Sequence, residues 1–399
     1  MPITLLLDLD DTLLNTNMDA FVPAYFQALS GALADRVPPE IMLPALMSGT
    51  RAMMANLDPA LMLREVFNAK FYPKLNLERL DLQERIDRFY DEVFPGLGSL
   101  TSPIPEAVRL VEWAFAQHHR VVIATNPLFP LKAIQHRLRW AGLAPEKYPF
   151  DLVSSYESMH FTKEGVAYYP EILAQLGWPE DPVVMVGDDV EREVIPTRLA
   201  GFPIYFVRKD GEVPPEAANV PQGSLESLRP WLEKADPQTL CVSFESTSAL
   251  LATLRSTPAA LATLTASLPA EAWKKEPAPG EWSLTEIVCH LRDVEREVNL
   301  PRLNKILAEQ NPFLPGEETD LWVKQRNCAA GDGPAMLLDF LSARKQCLAI
   351  LDALDAAGWA RPARHAIFGP THIQELVGFI AGHDRAHVQQ VWKTLRGGG

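Results

Sequence analysis

Cysteine is scarce and long apolar runs are missing. The 399-residue chain holds four cysteines, Cys241, Cys289, Cys328 and Cys347, all after residue 240 and none in a CxxC pair. The simplest expectation is a reduced, cytoplasmic protein whose thiols are small buried hydrophobes. No uninterrupted apolar stretch approaches the roughly 20 residues that span a bilayer. The N-terminus has no basic segment and its apolar run stops at Asp8, so it reads as a strand and not as a signal peptide. Positive charge is the minority sign, with 37 Lys and Arg against 51 Asp and Glu and a formal net charge of −14. That balance argues against a nucleic-acid or anionic-membrane surface, which needs clustered Lys and Arg. It leaves room for a local basic pocket around a phosphate. There is no internal repeat, and low complexity is confined to Gly397-Gly398-Gly399.

The length is that of about two or three domains. The first two-fifths alternate short apolar runs with helical patterns. Ile3 to Leu7 is continuously apolar apart from Thr4, as in a strand buried on both faces. Similar runs recur at Val121–Ala124, Leu152-Val153, Val183–Val186 and Pro203–Val207. This alternation predicts a parallel sheet covered by helices. Residues 17–95 break the rhythm with helical patterns and no clear strand, as an inserted helical subdomain would. A last helix is expected over Ser224–Lys234 and a linker near residues 236–242. Beyond it the spacing predicts four amphipathic helices near 245–267, 284–309, 334–357 and 372–395, an up-down four-helix bundle.

Chemistry-bearing residues fall at the strand ends. Asp8-Leu9-Asp10-Asp11-Thr12 follows the first strand, where open parallel sheets place their ligands. Alternation by two lets Asp8 and Asp10 converge. One carboxylate can attack phosphorus, and a second can protonate the leaving oxygen and later activate water. A Mg²⁺ ion with oxygen ligands would offset the charge between nucleophile and phosphate. Thr125-Asn126 can donate hydrogen bonds to phosphate oxygens. Lys163 can balance the anions. Gly187-Asp188-Asp189, with Glu193, can complete an oxygen-rich metal site.

Taken in order, these residues resemble the four motifs of the haloacid dehalogenase-like superfamily, over roughly residues 1–235. The resemblance implies Asp8 as nucleophile and Asp10 as general acid/base. It implies Thr125 holding the phosphoryl group, with Asn126 beside it, and Lys163 steadying nucleophile and phosphate. Mg²⁺ would be held by Asp8, Asp188 and the backbone carbonyl of Asp10, supported by Asp189 or Glu193. The helical segment 17–95 would be a cap of the first type, closing on a core of 1–16 and 96–235. Asp10 favours phosphate esters, since dehalogenase members lack an acid there. Two departures are Glu164 after Lys163, where Pro is frequent, and Glu193, where Asp is frequent.

The bundle carries a second constellation. Ser283-Leu284-Thr285-Glu286 is a capping box that starts a helix with His290 on or beside its apolar stripe. Thr371-His372-Ile373-Gln374 reads as another, starting a helix with Leu376, Ile380, His383, His387 and Val391 on one face. Histidines at i and i+4 with a third from another helix form a facial set of nitrogen ligands. Trp282-Ser283 with His290-Leu291, and His383-x-x-x-His387, are similar to the DinB-like metal-binding bundle family over roughly residues 243–399. The resemblance implies Zn²⁺ or Ni²⁺ on His290, His383 and His387. Asp293 and Asp384 are either supporting partners or solvated helix charges, Cys289 is packing, and His365 and His372 carry no assigned role.

The expected architecture is an α/β three-layer Rossmannoid domain with a parallel sheet and a helical type-1 cap insert, followed by an all-α four-helix bundle. The leading expectation is a Mg²⁺-dependent phosphatase acting on a small phosphorylated metabolite. The alternatives are a metal-dependent thiol transferase in the bundle, or a bundle that senses a ligand or dimerises.

Overall fold

A computed structural model describes residues 2–208 and 213–396, so the terminal glycines lie outside the described residues. The chain divides into two compact units. The first comprises Met1–Leu57, Leu61–Gly165 and Glu180–Val242, and the second Asp58–Ala60, Val166–Pro179 and Ser243–Gly399.

The first unit begins with β1 (Thr4–Leu7), every residue of which is buried. After Asp10 the chain turns through Asp11 at φ +59°, a left-handed conformation that Asp tolerates better than bulkier residues. It enters β2 (Leu14–Thr16), which pairs antiparallel with β3 (Thr101–Pro103). This two-stranded ribbon is the stem of the insert. Between its strands lie α1 (Met18–Leu33), α2 (Pro39–Met54), α3 (Leu63–Leu75) and α4 (Arg79–Arg88), then a π-helical turn at Phe89–Val93 and a 3₁₀ segment at Phe94–Leu100. An aromatic-rich core that includes Phe21, Tyr25, Phe71, Phe89 and Phe94 holds the insert together.

The chain then runs through α5 (Pro105–Ala116), β4 (Arg120–Ile123), α6 (Leu131–Trp140) and β5 (Leu152–Val153). The helix α7 (Tyr168–Gln175) belongs to the second unit. The chain returns to the sheet through β6 (Val183–Gly187), α8 (Ile195–Leu199), β7 (Ile204–Val207), β8 (Gln222–Gly223) and α9 (Leu225–Leu232). The sheet order is β5-β4-β1-β6-β7-β8, parallel throughout. The five expected strands are present, and β8 adds a sixth. Leu7 is level with both Ile123 and Val186, so Asp8, Thr125 and Asp188 emerge from three adjacent strands at one edge of the sheet.

The second unit is built on α10 (Thr247–Thr265), followed by α11 (Ala270–Trp273), α12 (Leu284–Val294), a π-helical turn at Glu295–Asn299 and α13 (Leu300–Ala308). Next come β9 (Phe313–Leu314), α14 (Asp320–Gln325), α15 (Gly333–Asp352), α16 (Ala356–Trp359), β10 (Pro362–His365), β11 (Gly369–His372) and α17 (Ile373–Arg396). Side chains start the long helices. Ser246 accepts from the Ala249 amide, Asp332 from the Ala335 amide, and Ser283 forms the expected box with Glu286, satisfying amides that the helix leaves unpaired. α10 and α12 each pack on α15 and α17, and α7 packs on α10. A small sheet accompanies the bundle, with β10 parallel to β9 and antiparallel to β11.

Two expectations need correction. Thr371 lies in β11 and its hydroxyl donates to Glu375, while Gln374 donates to the Glu245 carbonyl. The last helix therefore starts from a strand and not from a capping box. The cysteines are not four buried thiols. Cys289 and Cys328 form a disulfide across a 39-residue separation, and Cys241 is exposed. The 3₁₀ turn at Cys328–Ala330 folds back on α12 beside Val323, Trp282 and Met336, a return that sequence spacing does not announce.

Candidate functional site

The carboxyl ends of β1, β4 and β6 assemble the first site. Asp8 is buried, and its Oδ1 accepts from Lys163 Nζ at 2.5 Å. The same ammonium donates to Glu193 Oε1 at 2.6 Å. Asp8, Asp188 and Glu193 bring carboxylate oxygens within 4.8 Å of one another. Burial pushes the Glu193 carboxyl up to about 8 against the lowering pull of Lys163. A Cβ at position 187 would overlap the Glu193 carboxylate, so Gly187 is the residue that lets Glu193 lie against the strand end. Asp189 turns away. Its carboxylate accepts from the Arg192 backbone amide at 2.9 Å and from its guanidinium at 3.1 Å. Of the two acidic residues expected to support the metal site, Glu193 is the one that joins Asp8 and Asp188.

Asp10 lies outside that triad. Its Oδ1 accepts from Thr16 Oγ1 at 2.8 Å and pairs with Arg137 Nη2. Thr125 is buried, with its carbonyl held by Ser154 Oγ at 2.7 Å. Asn126 Nδ2 donates to Glu164 Oε1 at 3.1 Å, and Asn126 Oδ1 accepts from the Lys163 amide at 3.3 Å. The residue after Lys163 thus orients the loop after β4. Sequence reasoning missed Arg137, and quoted Thr12 in the Asp8 motif without giving it a role. Thr12 Oγ1 donates to Asp188 Oδ1 at 3.3 Å. Arg137 is buried in α6 beside Ala133, Ile134 and Leu138, and burial draws its guanidinium down to about 10. An arginine on the inner stripe of an amphipathic helix was the available signal.

The second site lies between α12 and α17. His290 Nε2 and His383 Nε2 are 2.9 Å apart, and His383 Nε2 and His387 Nε2 are 3.1 Å apart. Ligand atoms 2.0–2.1 Å from one metal ion sit about 2.9–3.4 Å from each other, between right-angle and tetrahedral arrangements, so the spacing fits a shared ion. Burial lowers His290 to about 4 and His383 to about 2, and lowers His387 too, so all three are neutral at pH 7. His387 Nδ1 is 2.9 Å from Gln390 Oε1. Only an N–H on Nδ1 makes that a hydrogen bond, which leaves Nε2 with its lone pair. The Trp282 ring stacks on His387 with centroids 5.9 Å apart.

Residues 253–391 match the family model of the DinB superfamily. Within this DinB-like bundle, Asp293 and Asp384 are buried and not solvated. Asp293 pairs with Arg292 and Arg326, and Asp384 with Arg344. Among the described residues, their hydrogen bonds go to Arg292, Arg326 and Arg344 and not to a histidine of the site. Asp320, not expected from sequence, places Oδ1 3.8 Å from His290 Nε2.

YuaE from Bacillus subtilis (strain 168) is 24% identical over 137 residues, 31% of this chain and 83% of that protein. YfiT from Bacillus subtilis is described as a probable metal-dependent hydrolase with an unusual four-helix bundle topology. It is 18% identical at TM-score 0.35, over 39% of this chain and 89% of that one. Structural neighbours of the N-terminal region are HAD-family hydrolases. A HAD phosphatase from Thermococcus onnurineus is 19% identical at TM-score 0.38, over 58% of this chain and 98% of that one. A 2-haloacid dehalogenase from Pseudomonas syringae pv. Tomato DC3000 is 20% identical at TM-score 0.41, over 59% and 99%. Among the described residues no helix is long and apolar enough to cross a membrane.

Proposed function

We propose that the first unit is a Mg²⁺-dependent phosphohydrolase that acts on a small phosphorylated metabolite through an aspartyl-phosphate. The observation that carries this reading is the buried Asp8–Lys163–Glu193 chain with Asp188 beside it. Asp8 attacks phosphorus, the bond from phosphorus to the ester oxygen breaks, and the phosphoryl group rests on Asp8. Asp10 gives its proton to the departing oxygen, then takes one from the water that frees Asp8. Thr16 and Arg137 hold Asp10 in place for both transfers. The ammonium of Lys163 donates to Asp8 and keeps it aimed, and Thr125 with Asn126 grips the phosphoryl oxygens. The oxygen-only donor set suits Mg²⁺, which Asp8, Asp188 and the Asp10 carbonyl would hold and which, when bound, offsets charge between nucleophile and phosphate. An acid at position 10 favours phosphate esters over halides, because halide needs no proton to leave.

The test is phosphate release from a panel of phosphorylated metabolites, with and without Mg²⁺, comparing wild type with Asp8→Asn. Mg²⁺-dependent turnover that vanishes in the variant is expected. Full activity in Asp8→Asn would falsify the nucleophile.

A second reading attaches to the bundle. His290, His383 and His387 would hold Zn²⁺ or Ni²⁺, and YfiT is described as a probable metal-dependent hydrolase. An open pocket lined by Trp282, Asp320, His383 and His387 gives an organic ligand access. Elemental analysis of purified protein should find one transition metal per chain and none in His383→Ala.

A further inference from the structure

Three links tie the short helix α14 to α12 around His290. Cys289, the residue before His290, is joined to Cys328, which lies just beyond the end of α14. Arg326, directly after the helix, donates to Asp293 at 2.9 Å and to Glu297 at 2.6 and 3.0 Å. Asp293 follows His290 by one turn on the same face of α12. Val323, from the middle of α14, is buried in one cluster with Cys289 and Cys328. A helix of six residues has little stability of its own. These links therefore fix where its first residue stands.

That first residue is Asp320. Its Oδ1 is 3.8 Å from His290 Nε2, the nitrogen that faces His383. Two ligands held at 2.0–2.2 Å by one ion stand at most about 4.4 Å apart, so this oxygen lies within the span of a common ion. Asp320 also lines the same opening as His383 and His387. Asp293 and Asp384 are committed to arginines, whereas the ion pair of Asp320 among the described residues is with His290. An acid in the first turn of a helix complements the helix dipole, but that role gives no reason for three links that hold the carboxylate against a histidine.

We propose that Asp320 is a fourth protein ligand of the ion held by His290, His383 and His387. The assignment rests on the three-histidine reading of the bundle. Four protein ligands close the shell of the ion in the resting protein. Of the four, only Asp320 is exposed, so it is the ligand that an entering molecule displaces.

The test is the Zn²⁺ affinity of full-length protein, measured by competition with a chromophoric chelator. Wild type is compared with Asp320→Ala, Glu281→Ala and His383→Ala. Glu281 lines the same opening, so its substitution removes an equal charge without removing a proposed ligand. Loss of a group that only supports a ligand already costs 10–100-fold in affinity. The Kd of Asp320→Ala should therefore rise at least tenfold, and that of Glu281→Ala should stay within threefold of wild type. The loss in Asp320→Ala should persist in 1 M NaCl, where the Debye length is about 3 Å and an exposed charge not bonded to the ion is screened. With Co²⁺ in place of Zn²⁺, the visible d–d bands of Asp320→Ala should differ from those of wild type, because a ligand has been exchanged. Melting in chelator confirms that each variant is folded and reads any effect on the start of α14 apart from the metal. Affinity within threefold of wild type in Asp320→Ala overturns the assignment. So does a loss that salt abolishes or that Glu281→Ala matches, and so do unchanged Co²⁺ bands. Each of these leaves the three-histidine reading standing as long as His383→Ala loses the ion. No metal bound to wild type, or binding that His383→Ala does not weaken, removes that reading and the fourth ligand with it.

Discussion

Lys163 is 2% exposed and is the cation between two buried carboxylates, Asp8 and Glu193. Removing one partner of a buried ion pair strands the other, at a cost of about 3–5 kcal/mol. Lys163→Met strands Asp8 and takes the donor from Glu193, whose carboxyl burial already pushes up to about 8. Phosphate release should fall by about 10²–10³-fold, in the range seen when one group that stabilises transition-state charge is lost. Urea denaturation without Mg²⁺ should show a loss of about 3 kcal/mol, part of which returns when Mg²⁺ is added. A variant that keeps a tenth of wild-type turnover would remove Lys163 from the mechanism. The histidines make the opposite case, since their buried form is the neutral one. His290 and His383 titrate at about 4 and about 2, below the ordinary 6.5. As pH falls, the unfolded chain takes up their protons first. The metal-free protein therefore loses stability from about pH 6.5 downward, by up to about 1.4 kcal/mol per pH unit for each histidine. The loss ends near pH 4 for His290 and near pH 2 for His383. Denaturant midpoints in chelator at pH 7 and pH 5 should differ more in wild type than in His383→Leu.

At the scale of elements, the bundle is pinned by one residue. Arg344 on α15 is fully buried. It donates to Glu295 in the π-helical turn at 2.5 and 3.0 Å, to Asp384 on α17, and to the Leu254 carbonyl on α10 at 3.1 Å. One guanidinium therefore fixes all four long helices, including the segments that carry His290 and His383. Arg344→Met leaves two buried carboxylates without their cation and should destabilise the bundle by about 3–5 kcal/mol. Chemical denaturation followed by circular dichroism at 222 nm checks it; a change under about 1 kcal/mol would mean water already serves the carboxylates. Nothing in the sequence marks Arg344, because periodicity locates inward positions but does not say which partners will meet there. Strands buried on both faces were legible as apolar runs, and the capped helices as periodic ones. β8 and the sheet β9–β11 were not, because strands of two to four residues, all but β9 containing Pro or Gly, leave no period to read. Asp8 and Asp188 were legible because each sits in an acidic pattern at a strand end, and Lys163 because the resemblance of the ordered motifs singled it out. Arg137 meets the site only through the fold.

At the scale of the whole molecule, the change from α/β alternation to long amphipathic helices was visible near residue 240. The assignment of α7 was not. Tyr168, Tyr169, Ile172 and Leu173 lie between Lys163 and β6, where a crossover helix belongs, and all four are buried. Yet α7 is part of the second unit and packs on α10. Trp178, just beyond it, has its carbonyl bonded by Gln389 of α17 at 2.9 Å, and its ring meets Phe244 with centroids 5.6 Å apart. A cut in the 236–242 segment therefore divides the second unit internally. Full burial of a large apolar side chain contributes about 1.5–3 kcal/mol. Stripping α10 from α7 then costs on the order of 5 kcal/mol, comparable with the whole stability of many domains. Residues 1–242 expressed alone should aggregate, or melt at least about 10 °C below the first transition of the full chain. Residues 243–399 alone should bind an apolar dye at the face that α7 leaves. Size-exclusion chromatography and thermal melts of both fragments decide the matter. A monomeric 1–242 fragment with an unshifted melt would show that α7 finds its cover elsewhere in the chain before residue 242.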